Sequence, residues 1–193
     1  METKMNIRKS PGLSLVLILL LTTGLGTTVA QTLRDDADKR RILVGAAVNP
    51  ALFAEVPYAS TLAREFNMVE PENVMKWGAI RPAQDKFNFG RGDEVVTFAK
   101  AHKMKVRGHC LLWSEYNPAW LSKGKFTPEQ LSKLLQEHIT TVMRHYSGKV
   151  FAWDVVNESF LENGNIEPSI WYDSPGIGLA VFFGHVLATW KLG

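Results

Sequence analysis

Four short apolar runs, separated by helix-like stretches, lie between residues 41 and 156, and this alternation limits the available folds more than any other feature. "RILVGAAV" (41–48), "FNMV" (66–69), "KVRGHCLLW" (105–113) and "KVFAWDVV" (149–156) have the length and composition of strands. "VPYASTLAREF" (56–66) and "DEVVTFAKAHK" (93–103) have helical spacing. In the second, Asp93 is placed as the cap and Val95, Val96, Phe98 and Ala99 share a face. The helix before the fourth strand carries the clearest boundary signals. Thr127 is its N-cap, Pro128 its first helical residue and Gln130 the capping-box partner. Leu131, Leu134, Leu135, His138, Val142 and Tyr146 follow at helical spacing, and Ser147-Gly148 closes the stretch. Near-continuous apolar strands alternating with helices predict an α/β fold, a parallel sheet covered by helices.

The long connections all follow strands, at 70–92, 110–126 and from 157 onward. Elaborate loops on the C-terminal side of parallel strands fit a (β/α)8 TIM-barrel type, whose site is built there. An open doubly wound sheet fits less well, because no glycine-rich phosphate loop follows a strand; Gly24-x-Gly26 and Gly176-x-Gly178 do not. A complete barrel needs about 250 residues, so the expectation is the first four βα units. Two open sheet edges and an exposed apolar interior face are expected to accompany such a half-barrel.

The ends of the chain read differently. Lys4, Arg8 and Lys9 precede the apolar "LSLVLILLL" (13–21), and Thr28 and Ala30 stand where a signal peptidase reads small residues. Residues 1–30 are therefore read as a signal peptide, its apolar core too short to span a membrane, and the chain as secreted, extracellular or periplasmic. Residues 31–40 are a lead-in and 41–179 the partial barrel. Residues 180–193 form an apolar tail without cap or clean period, as if read in a shifted frame. The three basic residues near the N-terminus supply much of the formal net charge of +3, so the rest carries no basic block that would suit nucleic acid. The single Cys110 excludes an internal disulfide. Nothing speaks to oligomeric state.

The strand ends gather one kind of chemistry. After the first lie Asn49 and Pro50. "EPENVMKW" follows the second, with Glu70, Glu72, Asn73, Lys76 and Trp77. His109, Trp113 and Glu115 mark the third, Asn157 and Glu158 the fourth. Amides, carboxylates and a lysine can pair with sugar hydroxyls while aromatic faces stack on sugar C–H faces. Zinc would need three or four ligands, and the adjacent His109-Cys110 pair has no second cysteine. No G-x-S-x-G elbow suggests a serine hydrolase. On spacing alone, Glu72, Asn73 and Lys76 read equally well as loop polars, His109 as a hydrogen-bonded core histidine, and Trp77 and Trp113 as packing aromatics. Trp120, Trp153 and Trp171 read as core or cleft-rim residues, Glu70, Glu115 and Glu162 as peripheral carboxylates.

"GAAVNPALF", "FNMVEPENVMKW", "VRGHCLLW" and "WDVVNES", in this order, closely resemble glycoside hydrolase family 10 over about residues 40–179. The resemblance implies a (β/α)8 barrel and a secreted endo-1,4-β-xylanase acting on xylan or a related β-1,4-linked polysaccharide, without metal or other cofactor. It implies that Glu158 is the general acid/base and that Asn157 bonds the sugar 2-hydroxyl. Glu72, Asn73 and Lys76 would hold the xylose units on the non-reducing side, with His109 and Trp113 lining the same subsites. A general acid must hold its proton near neutral pH, which burial favours, and Trp153 and two valines lie near Glu158 in sequence. Retaining glycosidases need a second carboxylate, the nucleophile, about 5–5.5 Å from the first. The resemblance puts it on the seventh strand, beyond the four read here; Glu72 and Glu70 are poor substitutes. The alternatives are a xylan-binding chain that does not cut and a non-functional fragment.

Overall fold

The computed structural model describes residues 31–172. Four strands, β1 (Gly45–Val48), β2 (Met68–Pro71), β3 (Lys105–Trp113) and β4 (Ala152–Asn157), form one parallel sheet in the order β1-β2-β3-β4. Among the described residues six α-helices accompany them, besides a 3-10 turn at Pro50–Leu52: α1 (Leu33–Arg40), α2 (Val56–Glu65), the short α3 (Trp77–Ile80), α4 (Gly90–Ala101), the short α5 (Ala119–Ser122) and α6 (Pro128–His145). Sequential parallel neighbours linked through helices are βα units of the barrel type.

Register divides the strand residues between two faces. Ala46 pairs with Val69 and Val69 with Val106, while Gly108 pairs with Trp153. These residues share the face turned to the helices, with Val48 and Val69 fully buried and Val106 nearly so. Leu62 of α2, Val95 and Ala99 of α4, and Leu135, Ile139 and Val142 of α6 complete this core. Each such side chain contributes about 1.5–3 kcal/mol on leaving water. Gly108 admits the tryptophan: a Cβ there would lie 2.3 Å from the Trp153 ring. Trp153 therefore packs toward the helices, near Tyr146, not beside Glu158.

The opposite face differs from the apolar interior expected of a half-barrel. It carries Gly45, Ala47, Met68, Glu70, Lys105, Arg107, His109, Ala152 and Asp154, all exposed or half-exposed. Glu70, Arg107 and Asp154 there are paired, while the Lys105 ammonium lies 5.5 Å from the Phe151 ring centre. The Arg107 guanidinium donates to Asp154 through Nε at 2.8 Å and through Nη2, and approaches Glu70 at 3.2 Å. The bonds to Asp154, then its charge, hold the guanidinium pKa above the ordinary arginine value. Small side chains in β1 and alternate charges in "KVRGH" keep this face polar.

Two helix starts differ from expectation. The lead-in contains α1, whose capping box joins Thr32 to Asp35. Its Arg34 donates to the carbonyls of Ala63 at 2.9 Å, His102 at 3.0 Å and Lys103 at 3.2 Å, fastening α1 to the C-terminal ends of α2 and α4. Helix α4 begins at Gly90, so Asp93 lies inside its first turn and bonds His145 at 2.7 Å. By contrast, α6 starts as read: Thr127 Oγ1 accepts from the Gln130 N–H, and the Gln130 side chain accepts from the Thr127 N–H.

Candidate active site

Six of the seven expected site residues, Glu72, Asn73, Lys76, Trp113, Asn157 and Glu158, lie at or just past the C-terminal ends of β2, β3 and β4, while His109 lies in the middle of β3. Trp113 and Asn157 are register partners on β3 and β4, so Glu158 stands beside the indole. The Trp113 Nε1–H donates to Glu158 Oε2 at 2.9 Å. Glu158 has a left-handed backbone, φ 51°, which a non-glycine residue adopts only at an energetic cost. Strand β4 thus ends by turning its carboxylate sideways onto Trp113.

The loop after β2 brings Glu72, Asn73 and Lys76 to the same edge. The Glu72 N–H is held by the Val48 carbonyl at 3.0 Å, which fixes where this loop leaves the sheet. Lys76 is 8% exposed, and its ammonium donates to Asn73 Oδ1 at 2.9 Å. That nitrogen also lies 4.4 Å from the Trp113 ring centre and 5.2 Å from that of Tyr116. Lysine brings three donors. One is used by Asn73 and the aromatic faces steady the charge, so the ammonium can still donate to a ligand oxygen.

Behind Lys76, Trp77 is buried and stacks on His138 of α6 at 3.7 Å between ring centres and 4° between planes. Burial, then the nearby Arg81 charge, holds the His138 imidazole well below its ordinary pKa, hence neutral. Buried Arg81 ties the loop to α6 through Glu137 at 2.8 Å, while its Nε donates to the Gln84 carbonyl at 2.8 Å. The sequence reading named neither role, because an arginine among loop polars has no periodic signal.

His109 lies one layer down, on the open face. Its Nδ1 is 3.0 Å from Asp154 Oδ2, and a carboxylate accepts, so Nδ1 carries a proton and Nε2 is left to face a ligand. Ligand-type atoms of Glu70, His109 and Asp154 lie within 4.8 Å of one another, but Arg107 already supplies positive charge to both carboxylates. The neighbouring Cys110 thiol is buried, which pushes its pKa up to about 12 and leaves it protonated.

Trp113, Asn157 and Glu158 line a hollow open to solvent, with Phe160, Glu167 and Trp171. Glu167 and Phe160 escaped the sequence reading; the turn that brings them back pairs Phe160 with Ile166 and bonds the Glu167 N–H to the Ser159 carbonyl at 2.9 Å. The hollow joins a carboxylate to aromatic walls, and Lys76 approaches it through Trp113.

A family model described as Glycosyl hydrolase family 10 matches residues 32–182. The chain belongs to this family. It is 37% identical over 140 residues to endo-1,4-beta-xylanase A of Phanerodontia chrysosporium, a match covering 72% of this chain and 34% of that protein. With the beta-1,4-xylanase of Dictyoglomus thermophilum it shares 45% identity over 121 residues, 62% of this chain and 34% of the relative. Among solved structures, xylanase 10B from Thermotoga petrophila RKU-1 in complex with xylobiose superposes with a TM-score of 0.79 at 35% identity. That match covers 83% of this chain and 50% of the other. The chain thus spans about a third of these curated relatives and half of the solved barrel, and its four-stranded sheet corresponds to that portion of a family 10 (β/α)8 fold.

Proposed function

We propose that the protein is a secreted retaining endo-1,4-β-xylanase, with Glu158 as the general acid/base. The observation that carries this reading is the Glu158–Trp113 pair at the C-terminal edge of the sheet, with the Lys76 ammonium, bonded to Asn73, over the ring of the same indole. In the proposed reaction Glu158 protonates the glycosidic oxygen as the bond to the sugar carbon breaks. It then takes a proton from the water that releases the glycosyl group from the nucleophile. Asn157 bonds the 2-hydroxyl of the sugar being cleaved. Glu72, Asn73 and Lys76 hold xylosyl units on the non-reducing side, and His109 offers Nε2 to a hydroxyl. Residues 1–30 serve export, so the exported protein is expected to begin at Gln31.

The nucleophile is assigned to a later strand of the barrel. A chain that holds xylan without cutting it is the second reading, favoured by the Lys76–Asn73 pair beside the Trp113 ring, which can grip a sugar without a second carboxylate. Release of reducing ends from xylan decides between them. Hydrolysis that Glu158→Ala abolishes supports the enzyme; retention on insoluble xylan without hydrolysis supports the binder; neither activity nor retention rejects both.

A further inference from the structure

We propose that Tyr116 is a further substrate-binding residue, an aromatic platform that accepts the pyranose unit next beyond the one held by Asn73 and Lys76. The proposal rests on the xylan-binding reading and extends it by one sugar. Tyr116 is one of the large apolar side chains left exposed, at 38%. Exposure alone would mean little, but this ring is fixed. The Gly78 N–H donates to the Tyr116 carbonyl at 3.1 Å. A Cβ on Gly78 would meet that oxygen at 3.1 Å and the ring carbons Cδ1 and Cε1 at 3.3 and 3.4 Å, so the ring lies directly on the backbone of α3.

Its orientation continues that of the site. The Tyr116 and Trp113 rings are parallel within 2°, with centres 6.3 Å apart, and the Lys76 ammonium is close to both. Trp113 touches Glu158 through its indole N–H and Lys76 through its ring, with Tyr116 next to it. A bound glycan therefore meets the carboxylate, Trp113, the ammonium with unused donors, and then Tyr116. A flat, exposed ring held in place with little entropy left to lose suits the C–H face of a pyranose. The ligand class is an uncharged β-1,4-linked pyranose chain, recognised by stacking at Tyr116 and by hydrogen bonds at Lys76 and Asn73.

The test is calorimetric binding of xylobiose, xylotriose and xylotetraose to the full chain and to Tyr116→Ala, Tyr116→Leu and Tyr116→Phe. The platform predicts that Tyr116→Ala loses about tenfold of the affinity for the longer oligosaccharides and less than about twofold for xylobiose. Tyr116→Phe should match the parent, and Tyr116→Leu, which keeps apolar bulk without a flat ring, should resemble Tyr116→Ala. Equal losses at every length, or none, would overturn the platform while leaving the xylan reading intact. If the parent chain binds none of the three, the underlying reading fails and the platform with it. Unchanged xylobiose affinity in Tyr116→Ala also serves as the folding control.

Discussion

The two faces of the sheet are built from the same four strands, yet they obey different rules. The helix-covered face is apolar and close-packed, with Val48, Val69 and Val106 against α2, α4 and α6. The open face is small and charged, with Arg107 bridging Glu70 and Asp154, and Asp154 holding His109. Stability therefore resides on one face. The other tolerates water and holds Glu70, Arg107, His109 and Asp154 in place by pairing them.

Cutting into the covered face should have the largest effect. Leu135→Ala, at a fully buried position of α6, should cost about 2–5 kcal/mol in urea unfolding. The buried Cys110 thiol offers a second readout, since it should react with a thiol reagent only through opening and hence much faster in this variant. A loss under 1 kcal/mol would mean that the covered face is not the seat of stability. Gly108→Ala should follow, costing up to about 3 kcal/mol, because its methyl must displace the Trp153 ring. If it is neutral, the sheet does not hold Trp153 as tightly as its contacts imply.

Acid should strike the covered side next. Folded His138 is neutral and resists protonation, whereas the unfolded side chain takes up its proton near pH 6.5. Its folded pKa is depressed, so the unfolded state binds more protons and this residue's contribution to stability falls as pH drops below about 6.5. Between pH 6.5 and 5 the stability of the parent relative to His138→Phe should fall, by roughly 1–2 kcal/mol at most, in chemical denaturation. Parallel pH profiles would show that His138 titrates freely when folded. Smallest is Arg107→Ala on the open face. With its side chain 47% exposed, the loss should stay below about 1 kcal/mol and shrink further in salt. A larger, salt-independent loss would erase the contrast between the faces.

How much of this was legible depended on the kind of signal. Helix α6 announced itself because Thr127, Pro128 and Gln130 are local and sufficient, and its Leu131–Val142 face follows the helical period. The strand-end residues could be picked out because the βα order places them on one edge. What failed was periodicity taken too coarsely. "KVRGH" opens an apolar run, yet its alternation of Lys105, Arg107 and His109 with Val106 and Gly108 separates two faces. Helix α1 was missed because Ala37 is its one buried residue, leaving no apolar stripe to detect. Tyr116 carries no signal in the sequence, because an aromatic in a loop acquires meaning only with Gly78, Lys76 and Trp113 around it.

The left-handed backbone of Glu158 has a consequence for how such a chain could be improved. Glycine adopts that conformation without steric penalty. Glu158→Gly should therefore relax the turn and, relative to Glu158→Ala, yield the more stable protein by about 1 kcal/mol. Any screen that rewards thermal resistance alone is thereby drawn toward removing the carboxylate. Position 158 is where a search for robustness and a search for chemistry part company, and a stabilisation campaign on this scaffold should keep it fixed.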